Sequence, residues 1–278
     1  MAKVLIIGCG DLGTAIAVNL HQAGHQVIGV RKSAEMLPLG MQTIQADILQ
    51  PASLLPLKSM QPELLIYCIA ATAQSDENYH QHYVVGLQNV LATQYGNTQL
   101  QHVFFVSSTR VYGQHTDAII NEDTPAIPSD FGGERLLQAE QVLHHFPAPS
   151  TVLRLSGIYG TGRLYLINMA RDRSRWPVEN HWSNRIHRDD AAAFIAYLVQ
   201  LAAAKQGLQP CYIVTDDLPT QQYQVLMWIA QQLALPVDDV VVPSVTQGKR
   251  LSNQRLRDTG FSLQYPTYQQ GYLPLLLD

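Results

Sequence analysis

Short, nearly continuous apolar runs recur along the chain, with amphipathic stretches between them. KVLIIG opens the series at Lys3. HQVIGV from His25, MQTIQAD from Met41, ELLIYCIA from Glu63, HVFFVSS from His102 and STVLRLS from Ser150 follow. MQTIQAD is the weakest of these. Strands buried on both faces read as runs of this kind, and their alternation with helical patterns predicts an α/β fold built on a parallel, doubly wound sheet. The first intervening helix is expected to stop at Gly24, a C-cap residue, and two more are expected over 77–95 and 132–145.

After Ser156 the pattern loosens. Residues 160–188 read as loops, a short helix and the arginines of ARDRSRWP. A helix is predicted over about 189–204, and the alternative to a site role for this stretch has Asp189 capping its start. CYIVT from Cys211 reads as one more strand, TQQYQVLMWIAQQL from Thr220 as an amphipathic helix, and VVVP from Val240 as a short strand. No internal repeat or linker interrupts the chain. The tail segments are expected to form a small cap on the same domain.

Composition narrows the classes. With 278 residues, 46% hydrophobic and 14% charged, the chain can bury a sizeable core and is not of disordered type. Its net charge of −4 and lack of a basic run argue against nucleic-acid and membrane-surface partners. No apolar run approaches the ~20 residues of a membrane span. The start, Met1-Ala-Lys3, leads into a buried strand rather than a signal peptide. The cysteines, Cys9, Cys68 and Cys211, form no CxxC, which fits reduced thiols in a cytoplasmic protein. Ten histidines invite a metal reading, but no HExxH or Cys/His cluster occurs, and none is expected to bind metal. Ser108 has no GxSxG elbow, which argues against a hydrolase.

The first candidate site is VLIIGCGDLGTAIA, in which Gly8, Gly10 and Gly13 fall between a strand and a helix. Gly8 permits a tight turn, Gly10 lets a pyrophosphate approach the backbone, and Gly13 lets the helix pack on the strand. The amides of Asp11 and Leu12, at the positive helix end, then face the phosphates. This is the dinucleotide-binding arrangement of a Rossmann fold. Cys9 reads as a small residue lining the turn. The second strand ends in Arg31 and Lys32, where an NAD site usually has a carboxylate, and Glu35 lies further on. Two cations there favour a 2′-phosphate, so NADP is expected over NAD. The other reading is that both cations point to solvent.

The later motifs resemble those of the extended short-chain dehydrogenase/reductases, the NAD-dependent epimerase/dehydratase family. VFFVSSTRVYG is similar to its serine-bearing turn, TVLRLSGIYGTGR to its next strand and the loop beneath the nicotinamide, and NRIHRDDAAAFIAYL to its H-x-D-D helix start. CYIVTDDLPTQQYQVLMWIAQ and SNQRLRDTGFSLQYPTYQQGY resemble its late strand and helix and its C-terminal end, so the likeness runs along nearly the whole chain. The resemblance implies a dinucleotide-binding core of residues 1–160 with 188–215, and a small substrate-side cap of 161–187 with 216–278. It also implies that Asp47 and Ile48 lie by the adenine and that Ile69, Ala70 and Ala71 wall the cofactor. Ser107, Leu155 and Ser156 then border it, and Ser108 donates a hydrogen bond to a substrate oxygen. The alternative for Ser108 is a structural hydroxyl at the strand end, and Tyr112 reads as packing. A small polar substrate, sugar-nucleotide-like or otherwise, is implied, as is a homodimer through 77–95 and 132–145.

The chain departs from that family at the proton relay. Members carry a tyrosine and a lysine four apart, the ammonium lowering the phenol's pKa so that it can exchange a proton with substrate. One register aligns Phe131 and Arg135 with that pair, and another, fixed by Glu140, aligns Gly132 and Leu136. No tyrosine lies between Tyr112 and Tyr159, and no lysine between Lys58 and Lys205. Phe131 has no hydroxyl, and Arg135 can hold an anion but cannot act as a base. This places the chain nearer the family's atypical branch. Gly132 and Gly133 weaken the helix start, which suggests close approach of backbone to cofactor or substrate. Tyr159, Tyr165 and His187 are the candidate substitute bases. The competing reading has His187 serving local backbone. A non-catalytic, NADP-binding sensor or scaffold stays open beside an oxidoreductase or isomerase.

Overall fold

The computed structural model describes residues 1–116 and 118–277. Seven strands make the main sheet: β1 (Lys3–Ile7), β2 (Gln26–Arg31), β3 (Gln42–Gln45), β4 (Leu64–Tyr67), β5 (His102–Ser108), β6 (Ser150–Leu155) and β7 (Cys211–Val214). Their order across the sheet is β7-β6-β5-β4-β1-β2-β3. β1 pairs in parallel with β2 and with β4, β2 with β3, and β4 with β5. This is the doubly wound Rossmann order. Connections leave β1 towards both edges, and the switch point between β1 and β4 opens a crevice at the strands' C-terminal ends. Val4 to Ile7 and Leu64 to Tyr67 have no accessible surface, which is why these runs carry no polar alternation.

The helices that bear on the site are α1 (Asp11–Gln22), a continuous helical run over 76–92, α2 (Phe131–His144), α3 (Arg188–Ala203), α4 (Gln222–Gln232) and α5 (Tyr268–Leu277). The run over 76–92 starts at Ser75, whose side chain accepts from the Asn78 amide, and has a π turn over His80–Val85. Gly24 follows α1 with φ of 84°, the left-handed geometry of a helix stop.

Chain contacts divide the molecule into two compact units. One comprises Met1–Gly113, Ala126–Arg154 and Ala192–Tyr212; the other comprises Gln114–Pro125, Leu155–Ala191 and Ile213–Asp278. In the second, Gly157–Tyr159 pairs with Arg185–His187, and Asn180–Ser183 lies between Thr220–Gln221 and Val245–Gly248. Its apolar core gathers Tyr159, Ile167, Met169, Leu226, Tyr268 and Tyr272.

Two expectations need correcting. VVVP is not a strand. Val241 and Val242 are exposed, Pro243 has no N–H for a ladder, and pairing begins at Val245. Asp189 is not the cap of α3. The helix starts at Arg188, the Asp189 amide donates to His187 Nδ1 at 3.2 Å, and the Asp189 carboxylate holds Arg188 at 2.8 Å.

Candidate functional site

The glycine turn after β1 has the features that phosphate binding needs. Gly8 has φ of 96°, and a Cβ there would stand 2.5 Å from the Cys68 carbonyl oxygen. A Cβ on Gly13 would stand 2.2 Å from the Gly8 carbonyl oxygen, so any larger residue would push α1 off the turn. At Gly10 a Cβ would meet nothing within 4 Å. That residue is the N-cap of α1 and makes no side-chain cap, so no side chain of its own covers the Asp11 and Leu12 amides. The Gly8 and Cys9 amides both donate to the Val30 carbonyl, at 2.9 and 3.1 Å, which fixes the turn to β2. Cys9 is fully buried, and burial pushes its thiol up to about 12.

Arg31 and Lys32 stand at the end of β2, and both are paired. Arg31 bonds Glu35, and Lys32 bonds Asp47 at 2.8 Å. The Lys32 hydrogen bond, together with the Leu49 amide at 3.0 Å, lowers the Asp47 pKa. Arg31 Nε is buried without a hydrogen-bond partner among the described residues. Ile48 is buried, with its carbonyl accepting from Asn89 at 2.8 Å. Beyond β4, Ile69 and Ala71 are half-buried and Ala70 is exposed, leaving this edge of the turn open.

At the end of β5, two adjacent serines do different things. Ser107 is buried and donates to Glu140 Oε1 at 2.7 Å. Glu140 also takes a two-point contact from Arg154, at 2.6 and 3.1 Å, and Arg154 reaches the Tyr112 hydroxyl at 2.5 Å. This buried network ties β5, α2 and β6 together, and Tyr112 packs within it under the Arg154 guanidinium. Ser108 is half-buried. Its Oγ accepts from the Arg110 amide at 3.2 Å, and no acceptor among the described residues takes its O–H.

Arg110, which the sequence reading passed over, occupies the start of α2. Its Nε bonds both Asp130 oxygens at 2.9 and 3.0 Å, and its Nη1 reaches the Tyr79 hydroxyl at 2.7 Å and Gln74 at 3.1 Å. The guanidinium lies 5.0 Å from the Tyr79 ring centre and 5.2 Å from that of Phe131. Asp130 is also the N-cap of α2, accepting from the Gly133 amide at 2.9 Å. Burial opposes its ionisation, but the Gly133 amide and Arg110 outweigh that and its pKa falls.

The two glycines therefore serve Arg110. A Cβ on Gly132 would stand 2.4 Å from the Arg110 Cζ, and one on Gly133 would stand 2.6 Å from its carbonyl oxygen. Their neighbour is this arginine turn, where close approach to cofactor or substrate had been expected. The signal was present in sequence as a cation in the serine-bearing turn and a glycine pair in a helix, but its two halves are separated along the chain. Arg135, the counterpart of the lysine in one register, is tied to Asp76 at 2.6 and 2.9 Å and to Gln138 at 3.0 Å.

In the second unit, the Ser156 amide donates to the Val214 carbonyl at 3.1 Å, and Leu155 is buried. Tyr159 stacks on Tyr272 at 4.3 Å between ring centres, beneath Gly271. Its hydroxyl is buried without a hydrogen-bond partner among the described residues, and burial, then the Asp216 charge, push its pKa well above the ordinary phenol value. His187 is 3% exposed, lies edge-on to Tyr159 and 4.0 Å from the Tyr265 ring, and accepts the Asp189 amide. Desolvation lowers its pKa. These surroundings give both side chains structural work and hold both in their neutral forms. Tyr165 is exposed, on the short helix Tyr165–Ala170. The pair Asp189-Asp190 is explained in part by Asp190, which accepts from the Gln264 and Tyr265 amides at 2.7 and 2.8 Å and so fastens the C-terminal segment. No helix among the described residues is long and apolar enough to cross a membrane.

A dinucleotide-type glycine turn on a doubly wound sheet defines a nucleotide-binding Rossmann protein. The chain belongs to the NAD dependent epimerase/dehydratase family, whose model matches residues 4–209. It is similar to a solved structure from Methylobacillus flagellatus assigned to the NAD-dependent epimerase/dehydratase type, with 46% identity, a TM-score of 0.91 and coverage of 99% of this chain and 98% of that one. Protein YeeZ of Escherichia coli strain K12 is 28% identical over 282 residues, covering 96% of this chain and 97% of YeeZ. The UDP-glucose 4-epimerase of Thermus thermophilus, solved with NAD, shares the fold at a TM-score of 0.75 and 18% identity, over 97% of this chain and 96% of that one.

Proposed function

We propose that the chain binds NADP and acts on a small polar substrate, sugar-nucleotide-like or otherwise, as an oxidoreductase or isomerase that works without a tyrosine–lysine pair. The observation that carries this reading is the open cradle, in which Gly10 leaves space beyond the backbone and α1 has no side-chain cap. Gly8, Gly10 and Gly13 with the Asp11 and Leu12 amides would hold the pyrophosphate. Asp47, Ile48, Ile69, Ala70 and Ala71 would border the adenosine half, and Ser107, Leu155 and Ser156 the nicotinamide half. A bound NADP would supply or accept a hydride at its nicotinamide ring.

The preference for NADP rests on Arg31 and Lys32. Glu35 is 72% exposed at its side chain, so a 2′-phosphate can replace it at Arg31 with little desolvation. NAD, which lacks that phosphate, has nothing to set against the Arg31–Glu35 pair. Calorimetry with NADP+ and NAD+ tests both levels. Binding of either supports the cradle, and tighter NADP+ binding supports the preference. No heat from either at millimolar nucleotide rejects the reading, and tighter NAD+ binding rejects the preference alone.

A non-catalytic NADP sensor or scaffold is the second reading. It is favoured by Phe131 and by the neutralised Arg135, and by the core packing of Tyr159 and His187. NADPH oxidation with small ketones, together with NMR analysis of nucleotide sugars incubated with the nucleotide-loaded protein, separates the two readings, because an isomerase returns its hydride and consumes no net NADPH. Nucleotide binding with no turnover in either assay favours the sensor. The helical faces at 77–95 and 132–145 are where a homodimer would form, and sedimentation tests that.

A further inference from the structure

Resting on the catalytic reading above, we infer that Ser108 and Arg110 form a two-donor site for a substrate oxygen that gains negative charge. The turn after β5 holds both residues, and each has hydrogen-bonding capacity that the protein leaves unused. Arg110 spends its Nε on Asp130 and its Nη1 on Tyr79 and Gln74, and both N–H groups of Nη2 have no acceptor among the described residues. Ser108 uses its oxygen as an acceptor, and its O–H has no acceptor among the described residues. Ser108 is half-buried and the Arg110 side chain is 31% exposed, so neither residue is sealed in the core.

The arginine is held as a preorganised donor must be. Asp130 fixes one edge, Tyr79 and Gln74 fix a second, and the rings of Tyr79 and Phe131 limit its tilt. The cost of this arrangement is visible in the helix, where Gly132 and Gly133 replace better helix formers to make room. Asp130 balances the charge, so the site does not act as a general anion trap. What remains are the two diverging N–H groups of one nitrogen, of which one at a time can serve a given oxygen, whereas a two-oxygen carboxylate fork needs donors on two nitrogens. Such donors stabilise charge as it develops on oxygen. A guanidinium is no general base, so Arg110 replaces the electrostatic part of a tyrosine's work and not the proton transfer. The proton for an alkoxide formed here would come from water.

4-Nitrophenol tests the site directly, because its anion absorbs visible light and its oxygen mimics an alkoxide. The NADP+-loaded protein should bind the anion and lower the pH at which the bound phenol ionises. Arg110→Gln should weaken anion binding roughly 10-fold or more, the worth of a hydrogen bond to a charged group. Arg110→Lys should recover little, since one ammonium cannot hold Asp130 and Tyr79 and still present a directed donor. Ser108→Ala, which leaves the Arg110–Asp130 pair in place, should weaken binding by a smaller factor. NADP+ affinity, read by calorimetry, should stay the same in all three variants. Undiminished anion binding in both Arg110→Gln and Ser108→Ala overturns the inference, as does a wild-type protein that takes up NADP+ and ionises no bound phenol. A wild-type protein that takes up no nucleotide rejects the cofactor reading instead. The same titration without nucleotide then still decides the oxygen site.

Discussion

Arg31 carries the cofactor preference, and its present partner makes that testable. The Arg31–Glu35 pair is one charge bond on an exposed edge, and a 2′-phosphate competes with Glu35 for the same guanidinium. Glu35→Gln removes the competitor and the local negative charge, so NADP+ should bind several-fold tighter, roughly 3- to 10-fold, with NAD+ nearly unchanged. Arg31→Ala should weaken NADP+ roughly 10-fold or more and NAD+ much less. Parallel calorimetry on the two nucleotides checks both, and equal losses for NADP+ and NAD+ would show that Arg31 reads no phosphate. Cys9 makes a second case at this scale. It sits in the cofactor turn, but burial holds its thiol in the protonated form, up to about 12. Iodoacetamide at mildly alkaline pH should leave Cys9 unlabelled in the folded protein and label it after unfolding, as mass spectrometry of the N-terminal peptide would show.

The start of α2 shows what an element's sequence can and cannot announce. Its extent was legible, because apolar positions repeat with helical spacing to Leu143, and so was its weakness at Gly132 and Gly133. The reason for that weakness was not, because it lies in Arg110, on a different strand's end. The two glycines should answer differently to alanine. At Gly133 the Cβ would meet backbone, the Arg110 carbonyl at 2.6 Å, so the helix or the turn must move. Gly133→Ala should cost about 1–3 kcal/mol, read from the urea midpoint. At Gly132 the obstacle is the far end of a side chain, and alanine improves helix propensity. Gly132→Ala should therefore be nearly neutral in stability while displacing Arg110. A larger loss at Gly132 than at Gly133 would contradict this packing. The same contrast runs through the other elements. Strands buried on both faces, such as KVLIIG and HVFFVSS, announce themselves by composition. The short strands Asn180–Ser183 and Arg185–His187 depend on partners far along the chain and have no periodicity to read. VVVP misled because three β-branched residues resemble a strand even where Pro243 prevents pairing. The glycine cradle was legible as a motif, whereas the pairing of Lys32 with Asp47 was not, since those residues meet only once β2 and β3 lie side by side.

Across the whole molecule, stability should carry the mark of one buried carboxylate. Asp216 is 1% exposed, its Oδ2 has no partner among the described residues, and burial raises its pKa from 3.8 to about 7. The groups that act on it are Arg185, which favours its ionisation, and Asp217 and Asp190, which oppose it. The buried phenols of Tyr159 and Tyr272 stay neutral beside it, as their raised pKa values require. Because the folded-state pKa lies above the unfolded one, folding takes up a proton between those two values. The resulting stabilisation is complete below about pH 4 and is lost as pH rises through about 7. Asp216→Asn keeps the oxygen that accepts the Leu218 amide and stays neutral at every pH. The variant should therefore match the wild type at about pH 4 and exceed it in stability by an increasing margin towards about pH 8. Urea unfolding of both proteins across that range measures the margin. A margin that does not change with pH would mean that Asp216 is charged throughout that range, its ionisation held by the Arg185 charge.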